Sequence, residues 1–174
     1  MRPFTYSQIL RAIGQDLETR DLTVFEIEKH GERYIVQCGY QFPPAPTPIT
    51  LEYSLNDIKE LDLSGQLTRS DALQTLDFST LAQSLRTIGG YLDNRKASLV
   101  RISNNHLPGT EPAFRIEYKT AEGELLVDDR SAAAIYDIGV YMYKQRRKVN
   151  GAAYAARWRR SGVAHYDRTG IRRG

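Results

Sequence analysis

The sequence predicts an α+β protein made of two copies of an α-β-β-β-α unit, each with a small antiparallel three-stranded sheet. Three observations predict this fold class: self-similarity at a spacing of 75 residues, a helix N-cap pattern that opens each copy, and alternating apolar residues after each helix. The copies span 1–63 and 79–148, with a connector at 64–78 and a basic aromatic tail at 149–174. Because each sheet is small, we expect the copies to pack about a pseudo-twofold axis.

The repeat appears when residues 5–27 are aligned with residues 80–102. Nine of the 23 positions are identical, whereas about one or two identities are expected for unrelated stretches of ordinary composition. The identical pairs are Thr5 and Thr80, Gln8 and Gln83, Leu10 and Leu85, Arg11 and Arg86, Ile13 and Ile88, Gly14 and Gly89, Leu17 and Leu92, Arg20 and Arg95, and Ile27 and Ile102. We interpret this shared register as an internal duplication.

Each copy opens with the pattern Thr-x-x-Gln, which is typical of a capping box. In this motif the threonine and glutamine side chains bond amide groups that the first helical turn leaves free. Thr5 and Thr80 are therefore predicted N-caps. Gly14 and Gly89 lie inside the two helices, where glycine costs about 1 kcal/mol relative to alanine. They predict a close approach of another part of the backbone.

Three strands and a closing helix follow the first helix of each copy. They are predicted at 23–27, 34–38, 49–53 and 55–63 in the first copy, and at 98–102, 114–118, 124–128 and 131–148 in the second. Strict alternation predicts that Phe25 and Ile27 share one face of the sheet, as do Val100 and Ile102, and that these side chains enter the core.

Composition and length limit the class of protein. The chain has 174 residues, of which 41% are hydrophobic and 26% are charged, as in globular proteins of one or two small domains. The single cysteine cannot form an intramolecular disulfide, no apolar run reaches the length of a membrane span, and the N-terminal stretch does not resemble a secretory signal. We expect a cytoplasmic protein without membrane association.

The charge is distributed unevenly along the chain. Residues 1–143 carry 14 Lys/Arg and 20 Asp/Glu, a net charge of −6, and residues 144–174 carry ten Lys/Arg and one Asp, a net charge of +9. Cations contact phosphates and aromatic rings stack on bases, a combination that single-stranded nucleic acid binding needs. The residues predicted to contact nucleic acid or a protein partner are Arg146, Arg147, Lys148, Tyr154, Arg157, Trp158, Arg159, Arg160, Tyr166, Arg168, Arg172 and Arg173.

The predicted function is therefore that of a non-enzymatic binding or adaptor protein whose tail contacts nucleic acid, preferably single-stranded DNA or RNA. One alternative is an assembly subunit, in which the last helix continues past Lys148 and the tail docks on an acidic protein surface, either of another copy or of a partner. A remote alternative is a metal-dependent nuclease, because Glu117 and Lys119 share a strand face as in the Glu-x-Lys motif of such enzymes. A solvated ladder of alternating charges with Arg115 explains the same residues.

No cofactor, metal site or catalytic residue is predicted. The three histidines and the cysteine have no partners at metal-ligand spacing, and no phosphate-binding glycine motif occurs. The α-β-β-β-α order resembles that of double-stranded RNA-binding domains, which hold phosphates with lysines at the start of their second helix. Here the corresponding stretches, 54–57 and 128–131, contain carboxylates. Binding of duplex RNA is therefore not predicted.

Overall fold

The residues that the computed structural model describes are 3–40, 47–69, 78–105, 113–161, 165–166 and 172–173. By its internal contacts the chain divides into two compact units, which we call the body (1–139) and the tail unit (140–174). The sequence boundaries at 63, 78 and 148 stay predictions.

The structure contains every helix and strand that the sequence predicts, and the body holds all of them except the later turns of the last helix. In chain order these are α1 (Tyr6–Thr19), β1 (Leu22–His30), β2 (Arg33–Tyr40), β3 (Ile49–Tyr53), α2 (Leu55–Arg69), α3 (Leu81–Asn94), β4 (Ser98–Asn105), β5 (Ala113–Lys119), β6 (Leu125–Ser131) and the first turns of α4 (Ala132–Ser161). Both closing helices are longer than predicted, since α2 continues to Arg69 and α4 to Ser161.

The six strands of the body form one antiparallel sheet in the order β3-β2-β1-β4-β5-β6. The α+β class is confirmed, but the prediction of two separate three-stranded sheets is wrong. β1 pairs with β4, and Ile27 lies opposite Ile102. Two separate sheets would each leave a free strand edge with unpaired backbone N–H and C=O groups, and this pairing satisfies them.

The capping residues begin α1 and α3 as predicted. Thr5 forms a complete capping box with Gln8, because its side chain accepts from the Gln8 backbone N–H and the Gln8 side chain accepts from the Thr5 backbone N–H. Thr80 is the N-cap of α3, and its hydroxyl oxygen accepts from the backbone N–H of Gln83 at 3.3 Å. The local signal in the sequence therefore places both helix starts.

The two glycines bring α1 and α3 close together. A Cβ atom added to Gly14 would lie 2.7 Å from the Cα of Ala82, and one added to Gly89 would lie 2.5 Å from the backbone N of Ser7. Both distances are too short for a real side chain, so the predicted close approach is confirmed. The neighbour in each case is backbone, which cannot rotate away.

Carboxylates also connect the same two helices. Asp93 on α3 accepts the backbone N–H groups of Tyr6 at 2.9 Å and Ser7 at 3.0 Å. Glu18 on α1 accepts the backbone N–H of Ala82 at 3.0 Å. Each helix thus supplies an acid to the free amide groups at the start of the other.

Bulges in β1 and β4 change which side chains enter the core. The register of β1 with β2 shifts at Phe25, so that Val24 and Ile27 are buried and Phe25 is half-buried. β4 has a corresponding shift at Val100, and Leu99 is buried instead. The prediction that Phe25 and Val100 enter the core is therefore wrong, because the extra residue of a bulge reverses the alternation beyond it.

Candidate nucleic-acid interface

Most of the described part of the tail unit is one helix. Residues 140–161 of α4 belong to the tail unit, so this helix continues past Lys148, as one of the sequence alternatives predicts. The tail unit carries ten Lys/Arg and one Asp, a net charge of +9, and the body has a net charge of −6. The cations are therefore presented on a regular scaffold with almost no acids within it.

Eleven of the twelve predicted site residues lie in elements that the structure describes. The helix α4 carries Arg146, Arg147, Lys148, Tyr154, Arg157, Trp158, Arg159 and Arg160. A two-stranded antiparallel ribbon, β7 (His165–Tyr166) and β8 (Arg172–Arg173), carries Tyr166, Arg172 and Arg173. In this ribbon Tyr166 lies opposite Arg172. Arg168 lies outside the described residues.

Three of the four aromatic positions of α4 in the tail unit follow one stripe, and the fourth, Tyr141, lies away from it. At 3.6 residues per turn, positions 143, 147, 154 and 158 fall within about 60° of one another, and they hold Tyr143, Arg147, Tyr154 and Trp158. The guanidinium carbon of Arg147 lies 5.9 Å from the ring centroid of Tyr143, a cation–π distance. The cationic positions, by contrast, are distributed around the whole circumference of the helix.

Several cations near the start of the tail unit, Lys144 included, are exposed. Arg146, Arg147 and Lys148 all present their side chains to solvent. Among the side chains that the structure describes, Arg146 and Lys148 take part in no ion pair. In contrast, Arg101 of the body pairs with Glu28 on the open face of the sheet. Arg146 and Lys148 are thus available to an external anion.

The pair Glu117 and Lys119 lies in a charged ladder on the open face of the sheet. Arg115 forms two hydrogen bonds with the Asp129 carboxylate, at 2.9 and 3.1 Å, and Glu117 lies opposite Arg101. The ladder interpretation of these residues agrees with this arrangement. Within the described part of the chain, no group of three or more His, Cys, Asp or Glu side chains is placed to hold a metal ion.

A pocket that the sequence did not predict opens in the body. Its volume is about 710 Å³, and it lies between the first turns of α1 and α2, at the end of the sheet where β1 turns into β2. Its floor is apolar and largely aromatic, with contributions from Phe4, Tyr6, Ile9, Tyr34 and Leu55. These residues come from separate elements, so no local pattern in the sequence connects them.

Three cations also line this pocket. Lys29 lies opposite Tyr34 in the sheet, and Lys59 is one helical turn after Leu55 on α2. The third, Arg33, donates to a Glu52 carboxylate oxygen at 2.6 Å. The pocket therefore combines aromatic surface with positive charge in a body that is acidic as a whole.

None of the helices within the described residues is both long enough and apolar enough to cross a membrane. Comparison of the chain with protein-family models, with curated proteins and with solved structures finds no match.

Proposed function

We propose that this chain is a non-enzymatic protein that binds single-stranded nucleic acid through its tail unit. The observation that carries the proposal is the exposure of Arg146, Arg147 and Lys148 on a helix within a segment of net charge +9. Phosphates attract such cations, and each contact releases counterions from the nucleic acid. The body, at −6, is repelled by the same polymer.

The aromatic stripe supports single strands over duplexes. Bases of a single strand are free to stack on aromatic rings, and every base has such a face, so the contact tolerates many sequences. Tyr143, Tyr154 and Trp158 occupy one side of α4, and Arg147 lies among them. A strand following this side of the helix would meet rings and cations together.

An assembly function is the second candidate. The opposite charges of the body and the tail unit, −6 and +9, favour docking of the tail unit of one copy on the acidic body of another copy or on an acidic partner. This candidate predicts self-association that weakens with salt. It also predicts no binding of single-stranded DNA or RNA at low salt.

We also propose that the body arose by internal duplication, with its halves related by a pseudo-twofold axis between β1 and β4. Two sets of contacts support this proposal. Asp93 accepts from the backbone N–H of Ser7, and Glu18 accepts from the backbone N–H of Ala82. The two acids are 75 residues apart, and so are the two donors. Gly14 and Gly89, at the same spacing, also face Ala82 and Ser7.

Removing two exposed cations from the tail unit is expected to weaken binding and reduce its salt dependence. The variant is Arg146→Ala with Lys148→Ala, and the probe is a fluorescently labelled single-stranded oligonucleotide followed by anisotropy at several salt concentrations. Each lost phosphate contact makes the negative slope of log K against log salt shallower by about 0.7, so the expected change for two contacts is about 1.4.

In the same assay, Trp158→Ala is expected to weaken oligonucleotide binding by about 1–3 kcal/mol if the indole stacks on a base.

The matched control removes two exposed cations from the body, with Lys96→Asn and Lys119→Ala. Asparagine is used at position 96 because the backbone there has a positive φ of 51°, which asparagine tolerates. This control has the same change in net charge as the tail variant. Equal losses of affinity in the two variants would refute a specific interface on the tail unit.

A further inference from the structure

We propose that the pocket of the body binds an aromatic phosphate monoester, such as a nucleoside monophosphate. Its ring would lie on the apolar floor and its phosphate between Lys29 and Lys59. This inference concerns residues of the body alone, and it goes beyond the proposed function, which concerns the tail unit. Four features of the pocket support it.

The first feature is size and surface. Sites for small molecules usually measure about 300–1,000 Å³ and are lined mainly by apolar and aromatic side chains, and this pocket measures about 710 Å³. Phe4 and Tyr6 are half-buried, so part of each ring is available for contact. Aromatic rings of this kind favour a flat ligand, on which they stack face to face or edge to face.

The second feature is charge. Three cations and one acid, Glu32, line the pocket, in contrast to the net charge of −6 in the body as a whole. Arg33 is already neutralised in part by Glu52. In the part of the chain that the structure describes, Lys29 and Lys59 take part in no ion pair. Two such ammonium groups suit a dianionic phosphate better than a single carboxylate.

The third feature is that an acid already lies at each of the two neighbouring helix starts. Asp93 already accepts from the backbone amides of Tyr6 and Ser7 at the start of α1. At the start of α2, Asp57 accepts from the backbone N–H of Ser54 at 2.7 Å, and the Ser54 hydroxyl accepts from the Asp57 N–H at 3.2 Å. These acids offset the positive ends of the two helices, so the lysines are the main source of positive charge for a ligand.

The fourth feature is the hydroxyl group of Tyr34. This side chain lines the pocket and is only 2% exposed, and no hydrogen bond among the described residues involves its hydroxyl. Burial raises the pKa of Tyr34 well above its ordinary value, so the group keeps its proton and can donate. The hydroxyl oxygen is not among the fully enclosed polar atoms that lack a partner in the described residues, so it can donate to a ligand oxygen in the pocket.

The test is calorimetric titration of the full chain with uridine monophosphate and phenyl phosphate at low salt. We expect both to bind, and Lys29→Ala with Lys59→Ala to weaken each by at least about tenfold, because charge-assisted hydrogen bonds contribute roughly 1.5–3 kcal/mol. Tyr34→Phe is expected to weaken binding by a factor of about three to ten, since it removes only a neutral hydrogen bond. Thermal unfolding of each variant verifies that the body is folded.

Controls separate the pocket from the tail unit. Lys96→Asn with Lys119→Ala, and Arg146→Ala with Lys148→Ala, should leave uridine monophosphate binding unchanged. An equal loss in either control would overturn the proposal, as would the absence of binding by both probes. Uridine binding as tightly as its monophosphate would contradict the phosphate site, and inorganic phosphate binding as tightly as phenyl phosphate would contradict the ring site. If neither probe binds the pocket but the chain still binds the oligonucleotide, the pocket proposal is wrong and the proposed function of the tail unit is unaffected.

Discussion

Gly89→Ala is expected to lower the free energy of unfolding by about 2 kcal/mol, the upper end of the overpacking cost less the gain in helix propensity. A Cβ at this position would lie 2.5 Å from the backbone N of Ser7, so α1 and α3 would have to move apart, and overpacking of this kind typically costs about 1–3 kcal/mol. Alanine favours helix by about 1 kcal/mol over glycine, which offsets only part of the loss. Urea denaturation followed by circular dichroism measures the difference.

Gly139→Ala in α4 is the matched control. The nearest atoms to a Cβ there belong to side chains, the Thr87 hydroxyl at 2.7 Å and a Phe78 ring carbon at 3.1 Å. Side chains can rotate where backbone cannot, so a loss below about 1 kcal/mol is expected. If Gly89→Ala were neutral or stabilising, the close backbone packing of α1 against α3 would be wrong.

Asp62→Ala is expected to cost about 3–5 kcal/mol of stability. Asp62 on α2 accepts from the Arg11 guanidinium on α1 at 2.5 Å, and both side chains are only 10% exposed. Removing one member of a buried ion pair leaves the other charge in a poorly solvated position, which accounts for a loss of this size. Replacing both residues by apolar ones, Arg11→Met with Asp62→Leu, should cost less than the single change.

An exposed pair on the sheet supplies the comparison for this ion pair. The side chains of Arg33 and Glu52 are 69% and 49% exposed, and pairs of this kind contribute about 0–1 kcal/mol. Glu52→Ala should therefore change the unfolding midpoint in urea only slightly. Equal effects of Asp62→Ala and Glu52→Ala would show that the pair between α1 and α2 is not buried in solution.

Much of the body could be predicted because its signals are local. The N-cap residues Thr5 and Thr80 fix the starts of two helices, and Gly14 and Gly89 indicate where those helices touch. The pairing of β1 with β4 could not be predicted in this way. It depends on contacts between residues about 75 positions apart, which neither periodicity nor turn chemistry specifies.

The bulges escaped prediction for a different reason. Phe25 and Ile27 are both apolar and two residues apart, so strict alternation places them on the same face, and nothing in the sequence indicates the extra residue at Phe25. The charge of the tail could be read directly from composition. The pocket could not be predicted, because Lys29 and Lys59 line the same pocket only after β1 and α2 have packed together.

The most direct test of the central proposal is the salt dependence of single-strand binding by the intact chain. Trp158 is the only tryptophan, so its fluorescence reports on the tail unit during titration with a single-stranded oligonucleotide. If about five cations of the tail unit contact phosphates, the slope of log K against log salt should be near −3.5, and stacking should quench the indole. No change in Trp158 fluorescence and no binding at low salt would contradict the proposal and favour the assembly function.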